Sequence, residues 1–220
     1  MKDFPLFTTE YGAASLILRE IPYQQTAYIH ILDSLEPEKL LEECVSFCRM
    51  CGAEWIYAKG HDYLEKFPLY TGLWEMRCSR QELPETDAVL IPVQDKTMEE
   101  FRRIYNSKVQ NVPCGAWMTQ ADAKAMLAQK TGYFIHREEK LLGIGMVDGE
   151  TIPWVASLAD GAGADVVSAL ACGVKGNAVS LTVADANIKA LALYERLGFV
   201  KIREISRFYC ILHKNNEIIL

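Results

Sequence analysis

Long apolar runs are missing from this 220-residue chain: none approaches the roughly 18 consecutive apolar residues that a membrane-spanning helix requires. No membrane partner is therefore expected. The opening stretch MKDFPLFTTE also lacks the basic-then-apolar pattern of a secretory signal, which leads to the expectation of a cytoplasmic protein. Positive charge is in short supply, with 23 Lys and Arg against 29 Asp and Glu and a net charge of −6. That balance argues against a broad nucleic-acid surface, so no nucleic-acid partner is expected, and an anionic ligand would have to be held by local dipoles. A disulfide framework is missing too. Seven cysteines, an odd number scattered along the chain, read as reduced thiols serving as small apolar residues. What is present in quantity is apolar side chain, at 50% of residues, enough for one large packed domain or two small ones.

Three of the cysteines need a separate reading. Cys44, Cys48 and Cys51 have the C-x-x-x-C-x-x-C spacing of the cluster motif in radical S-adenosylmethionine enzymes, and three thiolates on one cluster would be reasonable iron chemistry. The same segment, PEKLLEECVSFCRMC, opens with Pro37 and places Leu40, Leu41, Cys44, Cys48 and Cys51 on one helical stripe. Cysteines on a buried helix face usually pack, and no series of strand-helix units follows. The spacing predicts a packed helix, with an iron-sulfur radical enzyme as the distant alternative.

Along the chain, LILREI and AYIHIL predict an antiparallel strand pair around Pro22, Tyr23 and Gln24. The cysteine helix follows, then strands at 54–60 and 69–79 around a short helical turn, and a charged linker over 80–87. Two domains are expected, 1–86 and 87–220. In the second, 89–93 reads as a strand, 98–109 and 119–130 as helices, 132–136 and 141–147 as a hairpin, and 151–158 as a strand. A helix at 163–172, a strand at 181–185, a helix from 187 and a strand at 200–212 complete it.

Residues 187–199, NIKALALYERLGF, are the most informative segment. Asn187 is a good N-cap, Ala190, Leu191, Tyr194 and Leu197 recur at helical spacing, and Gly198 can take positive φ and end the helix. A second motif, LADGAGADVVSAL at 158–170, places Gly161 and Gly163 at a strand-to-helix junction. There the backbone can approach a ligand closely, and free N–H groups at a helix start favour phosphate.

Together these segments resemble the acetyl-CoA site of the GNAT N-acetyltransferase superfamily. Asn187, Ala190, Leu193, Tyr194, Gly198 and Phe199 match its Asn-x-x-Ala-x-x-Leu-Tyr-x-x-x-Gly-Phe segment, and Gly161 and Gly163 match its pyrophosphate turn. The likeness covers about 89–212. It implies an α+β (mixed α/β) GNAT acyltransferase fold, with a central mixed, mostly antiparallel sheet flanked by helices. The small α+β N-terminal part would then be either a degenerate half of the same fold or an unrelated extension.

The resemblance further implies acetyl-CoA as co-substrate, no metal, and direct transfer of an acetyl group to a primary amine, borne by a small molecule or a peptide; it also allows a homodimer. Leu158, Ala159, Gly161, Ala162, Gly163 and Ala164 would wrap the pyrophosphate. Val155 and Ser157 would offer backbone groups to the pantetheine arm, with Ala156 pointing the other way. Asn187 would contact the pantetheine or a buried water, and Tyr194 would bind beside the thioester and act as the general acid toward the leaving thiolate. Glu150 is the first candidate general base, followed by Asp148 and His136. In this chain the Arg/Gln position of the turn falls on Leu158, and Asp160 lies inside the turn. A carboxylate there would repel a pyrophosphate unless it points to water or caps the helix. That departure leaves a non-catalytic acyl-CoA-binding or regulatory protein as the alternative function.

Overall fold

The computed structural model describes residues 5–110 and 112–213. These form two compact units, one containing residues up to 72 and from 205 onward, the other Leu73–Glu204. The outer bounds expected for the two domains, residues 1 and 220, lie outside the described residues. The expected boundary between 86 and 87 follows chain order, whereas the compact units do not. The long strands at Leu69–Ser79 and Val200–Leu212 each carry the chain from one unit into the other.

In the first unit, β1 (Leu6–Thr9), β2 (Gly12–Ile17) and β3 (Thr26–Ser34) form an antiparallel meander. The chain then crosses over through α2 (Pro37–Met50) to β4 (Trp55–Lys59), which runs parallel to β3; α1 is the single turn Ile21–Gln24. Two elements here were not expected. β1 is missed because only Glu10 and Tyr11 separate it from β2, and α1 because IPYQ reads as a turn. On α2, Pro37 occupies the first turn, and Leu40, Leu41, Cys44 and Cys48 are fully buried against Ile29, Ile31 and Ile56. Cys51 departs from the expected stripe. The helix ends at Met50, Gly52 turns the chain at φ +94°, and Cys51 is exposed.

The second unit runs β6 (Val89–Pro92), α3 (Met98–Val109), α4 (Gln120–Gln129), β7 (Gly132–Arg137), β8 (Lys140–Asp148), β9 (Thr151–Ser157), α5 (Gly163–Cys172), β10 (Ala178–Ala184) and α6 (Ile188–Arg196). With β5 (Leu69–Ser79), its strands lie in the order β5-β10-β9-β8-β7-β6, antiparallel except between β9 and β10. β11 (Val200–Leu212) follows, and its far end pairs antiparallel with β4 in the first unit. Strand alternation sorts the side chains of β9 between two cores. Val155 packs with Val166, Leu170 and Tyr194 of α5 and α6, while Trp154 packs with Met98, Phe101 and Tyr105 of α3. No helix among the described residues is long and apolar enough to cross a membrane.

Candidate active site

The site begins with a failure of pairing. β9 and β10 are parallel neighbours, yet only Thr151↔Ser180 and Ile152↔Leu181 are in register. The next residue on β9 is Pro153, which has no N–H to donate to a ladder. Beyond it the strands part, leaving an opening of about 310 Å3 walled by Trp154 and Val155 on one side and by Thr182 and Val183 on the other.

α6 delivers Tyr194 and Asn187 to this opening. At its start the Asn187 side chain accepts from the Ala190 N–H at 3.4 Å, the cap expected from sequence. At its end Gly198 sits at φ +88°, the Phe199 N–H donates to the Tyr194 carbonyl at 3.0 Å, and the Gly198 N–H donates to that of Glu195 at 3.1 Å. This is a Schellman cap, and its usual apolar contact is the Tyr194–Phe199 ring pair at 5.7 Å. The Tyr-x-x-x-Gly-Phe spacing therefore fixes the carbonyl, backbone and ring face of Tyr194. The side chain is buried, with 7% of its surface exposed, and among the described residues its hydroxyl has no hydrogen-bond partner. Burial pushes the phenol up to about 12.

At the far end of β9 the chain turns through Gly161, at φ +77°, into α5. A Cβ on Gly161 would meet nothing within 4 Å, so the loop faces open space there. A Cβ on Gly163 would come within 2.9 Å of a Leu193 methyl, so this glycine allows α5 and α6 to approach. The first intrahelical bond runs from the Val166 N–H to the Ala162 carbonyl at 2.9 Å. The N–H groups of Gly163, Ala164 and Asp165 thus point out of the helix start.

No protein-family model matches the chain, and no curated protein matches it. Solved structures do. A conserved protein of unknown function from Staphylococcus epidermidis is 12% identical, with 94% of this chain and 93% of that one covered at a TM-score of 0.59. A GCN5-related N-acetyltransferase from Sphaerobacter thermophilus is 12% identical over 93% and 78% of the two chains at 0.54. A tandem GNAT protein from the clavulanic acid biosynthesis pathway is 12% identical over 91% and 79% at 0.51. The chain has the GNAT fold.

Within this GNAT fold the expected cofactor residues are distributed unevenly. Val155, Asn187 and Tyr194 line the opening. Ser157 lies farther along β9, and its hydroxyl donates to the Ala159 carbonyl at 2.8 Å. The N–H groups of Leu158 and Ala159 are both given to the Leu142 carbonyl, at 2.8 and 3.2 Å, so they serve the sheet edge rather than the loop's open side. Ala162 is buried beneath the loop. Asp160 does not cap α5: the N-cap is Ala162, without a side-chain bond, and Asp160 is exposed to water. The acidic residue in the first turn is Asp165, held by Arg137 at 2.6 Å and by the Thr86 hydroxyl at 3.1 Å.

The candidate bases do not converge on Tyr194. Glu150 and Asp148 are exposed in the β8–β9 turn, at the opposite end of β9 from the glycine loop, and His136 sits opposite Val89 on β7. None is among the residues lining the opening. Sequence reasoning missed two aromatic residues that do line it. The rings of Tyr105 and Trp154 are in contact, centroids 4.1 Å apart and tilted by 36°, and the Tyr105 hydroxyl donates to the Ala116 carbonyl at 3.1 Å. Cys44 and Cys48 are buried thiols pushed up to about 12, far from the thiolates a cluster needs. Among the described residues no group of three His, Cys, Asp or Glu is placed to hold a metal.

Proposed function

We propose that the second unit is an N-acetyltransferase that uses acetyl-CoA and transfers the acetyl group directly to a primary amine. The observation that carries this reading is Tyr194, a buried phenol whose hydroxyl has no hydrogen-bond partner among the described residues, set where two parallel strands diverge. When bound, acetyl-CoA supplies an activated thioester. The diverging edge of β9 at Val155 would hold its pantetheine arm, and the outward N–H groups of Gly163 and Ala164, with the open face of Gly161, would hold its pyrophosphate.

The role of Tyr194 follows from its environment. A phenol near 12 facing a thiol of about 8.5 would lose about 5 kcal/mol in a complete proton transfer. Tyr194 therefore steadies the departing sulfur by donating a hydrogen bond and keeps its proton.

The first unit supports a companion reading, that of a degenerate copy of the same fold. Its β3–α2–β4 crossover matches β9–α5–β10 in order, but its strands stay in register over five pairs, from Thr26↔Trp55 to His30↔Lys59, and leave no gap. The likeness to a tandem GNAT protein is in keeping with this.

One observation favours a second function, acyl-CoA binding without turnover: Glu150, Asp148 and His136, the candidate bases, all lie away from the opening. Thiol release over a panel of amines, measured alongside calorimetric acetyl-CoA binding, separates the two readings. The transferase reading expects acetyl-CoA-dependent thiol release with at least one amine class. Tight binding with no release on any amine would replace it with the binding protein.

A further inference from the structure

We infer that the acceptor is an apolar amine of low basicity, with a substantial neutral fraction at physiological pH, that packs on the Trp154–Tyr105 pair. The inference rests on the transferase reading and concerns the same opening. Its acceptor wall comes from α3 and the loop after it: Tyr105, Val109, Val112 and Ala116, facing Trp154 of β9. Every described residue lining the opening has an uncharged side chain. The aromatic pair is braced, because Trp154 is half-buried against the α3 core and the Tyr105 hydroxyl is tied to the Ala116 carbonyl. The loop itself is pinned by Asn106, whose amide accepts from the Met118 N–H at 2.9 Å and donates to its carbonyl at 3.0 Å. Such a wall is a braced apolar surface whose two rings are tilted 36° to one another, suited to a ring or a branched apolar group.

The chemistry of the step points the same way. The amine nitrogen must use its lone pair on the thioester carbon; the C–N bond forms and the C–S bond breaks. Sulfur leaves with the bonding pair, and the proton shed by nitrogen balances it, giving amide and thiol. An ammonium has no lone pair to offer. Bringing one into this wall would strip its water with no carboxylate among the described lining residues to replace it, a loss that exceeds what an aromatic face returns. Tyr194, protonated across the neutral range, cannot take the proton. An alkylamine of pKa near 10.4 is neutral in only about one molecule in 2,500 at pH 7, and an α-amine near 7.8 in about one in seven. An arylamine, its lone pair conjugated with the ring, is neutral throughout.

The test measures thiol release by the full chain with acetyl-CoA and four acceptors: an arylamine, the amide of an aromatic α-amino acid, a size-matched alkylamine and a diamine. For the low-basicity acceptors, kcat/KM at pH 7 should exceed that of the alkylamine by about thirtyfold or more. The alkylamine value should climb about tenfold per pH unit, while the arylamine value stays flat from pH 6.5 to 8.5. The order of the first two acceptors tells a free arylamine from an amino-acid amine. Trp154→Ala should weaken calorimetric binding of the preferred amine about tenfold and leave acetyl-CoA affinity unchanged, with Trp154→Phe restoring most of the loss. A preference for the alkylamine or diamine with a flat pH profile would overturn the inference and leave the transferase reading standing. Equal loss of amine and acetyl-CoA binding in Trp154→Ala would overturn the aromatic contact. Silence with every amine, while acetyl-CoA still binds, would remove the transferase reading itself and the inference with it.

Discussion

In the proposed transferase, Tyr194 concentrates the chemistry because three features act on one side chain. Its backbone is fixed by the helix cap, its ring is packed on Phe199, and its hydroxyl has no hydrogen-bond partner among the described residues. Tyr194→Phe removes only the oxygen. It should lower kcat about a hundredfold while acetyl-CoA affinity stays within about twofold, because the ring still fills its place in the core. Turnover equal to the parent at saturating substrate would dismiss the role. Since burial holds the phenol near 12, Tyr194 remains protonated through the neutral and mildly alkaline range. The parent kcat should therefore show no descending limb from this residue below about pH 10, measured with an acceptor that does not titrate there. Tyr194 was readable in the sequence because its spacing to Gly198 and Phe199 encodes a local structure. Trp154 and Tyr105 were not, since their contact depends on a strand and a helix meeting across the fold. Arg137, which holds Asp165 at the start of α5, was hidden for the same reason.

At the scale of elements, α6 shows how a local signal places a functional group. The left-handed backbone at its end favours glycine, and the site offers ordinary room: a Cβ on Gly198 would meet Glu82 only at 3.7 Å. The cost of Gly198→Ala is thus the backbone conformation alone, about 1–2 kcal/mol, read as a lower urea midpoint. If the cap also aims Tyr194, kcat should fall by more than stability alone would explain, at temperatures where the variant is fully folded. An unchanged kcat would show that packing on Phe199 is enough. The helices and longer strands of the second unit were readable because they are bounded by caps or turns: Thr119 and Asp122 form a reciprocal capping box on α4, and Asn187 caps α6. β1 has only four residues and α1 a single turn, too short for periodicity to show. Cys51 was misplaced because helical spacing says which residues share a stripe and nothing about where the helix stops. The gap between β9 and β10 had one local sign, Pro153 in an otherwise regular strand, and its meaning appears only once β10 is known to be the neighbour.

At the scale of the molecule, both units hide titratable thiols in their cores, and this sets how the protein meets alkali. Cys44 and Cys48 lie in the first core and are pushed from 9.0 to about 12 by burial; Cys78 lies in the second and is pushed to about 11. Tyr194 adds a phenol raised from 10.0 to about 12. In each case the folded value is above the unfolded one, so the folded state holds protons that the unfolded state releases between the two values. Stability is then fully present below about pH 9 and is lost progressively as pH rises from there toward 12. The urea midpoint should be level between pH 7 and 8.5 and fall with increasing steepness above pH 9.5. The double variant Cys44→Ala with Cys48→Ala removes two of the four groups. It should start from a lower midpoint at pH 7, because two side chains are trimmed in a packed core, and then decline less steeply with pH than the parent. Parallel curves would mean that these thiols ionise as readily in the fold as outside it. Such a result would also reopen the cluster reading of Cys44, Cys48 and Cys51, because thiols that ionise freely in the folded protein are the kind that hold iron.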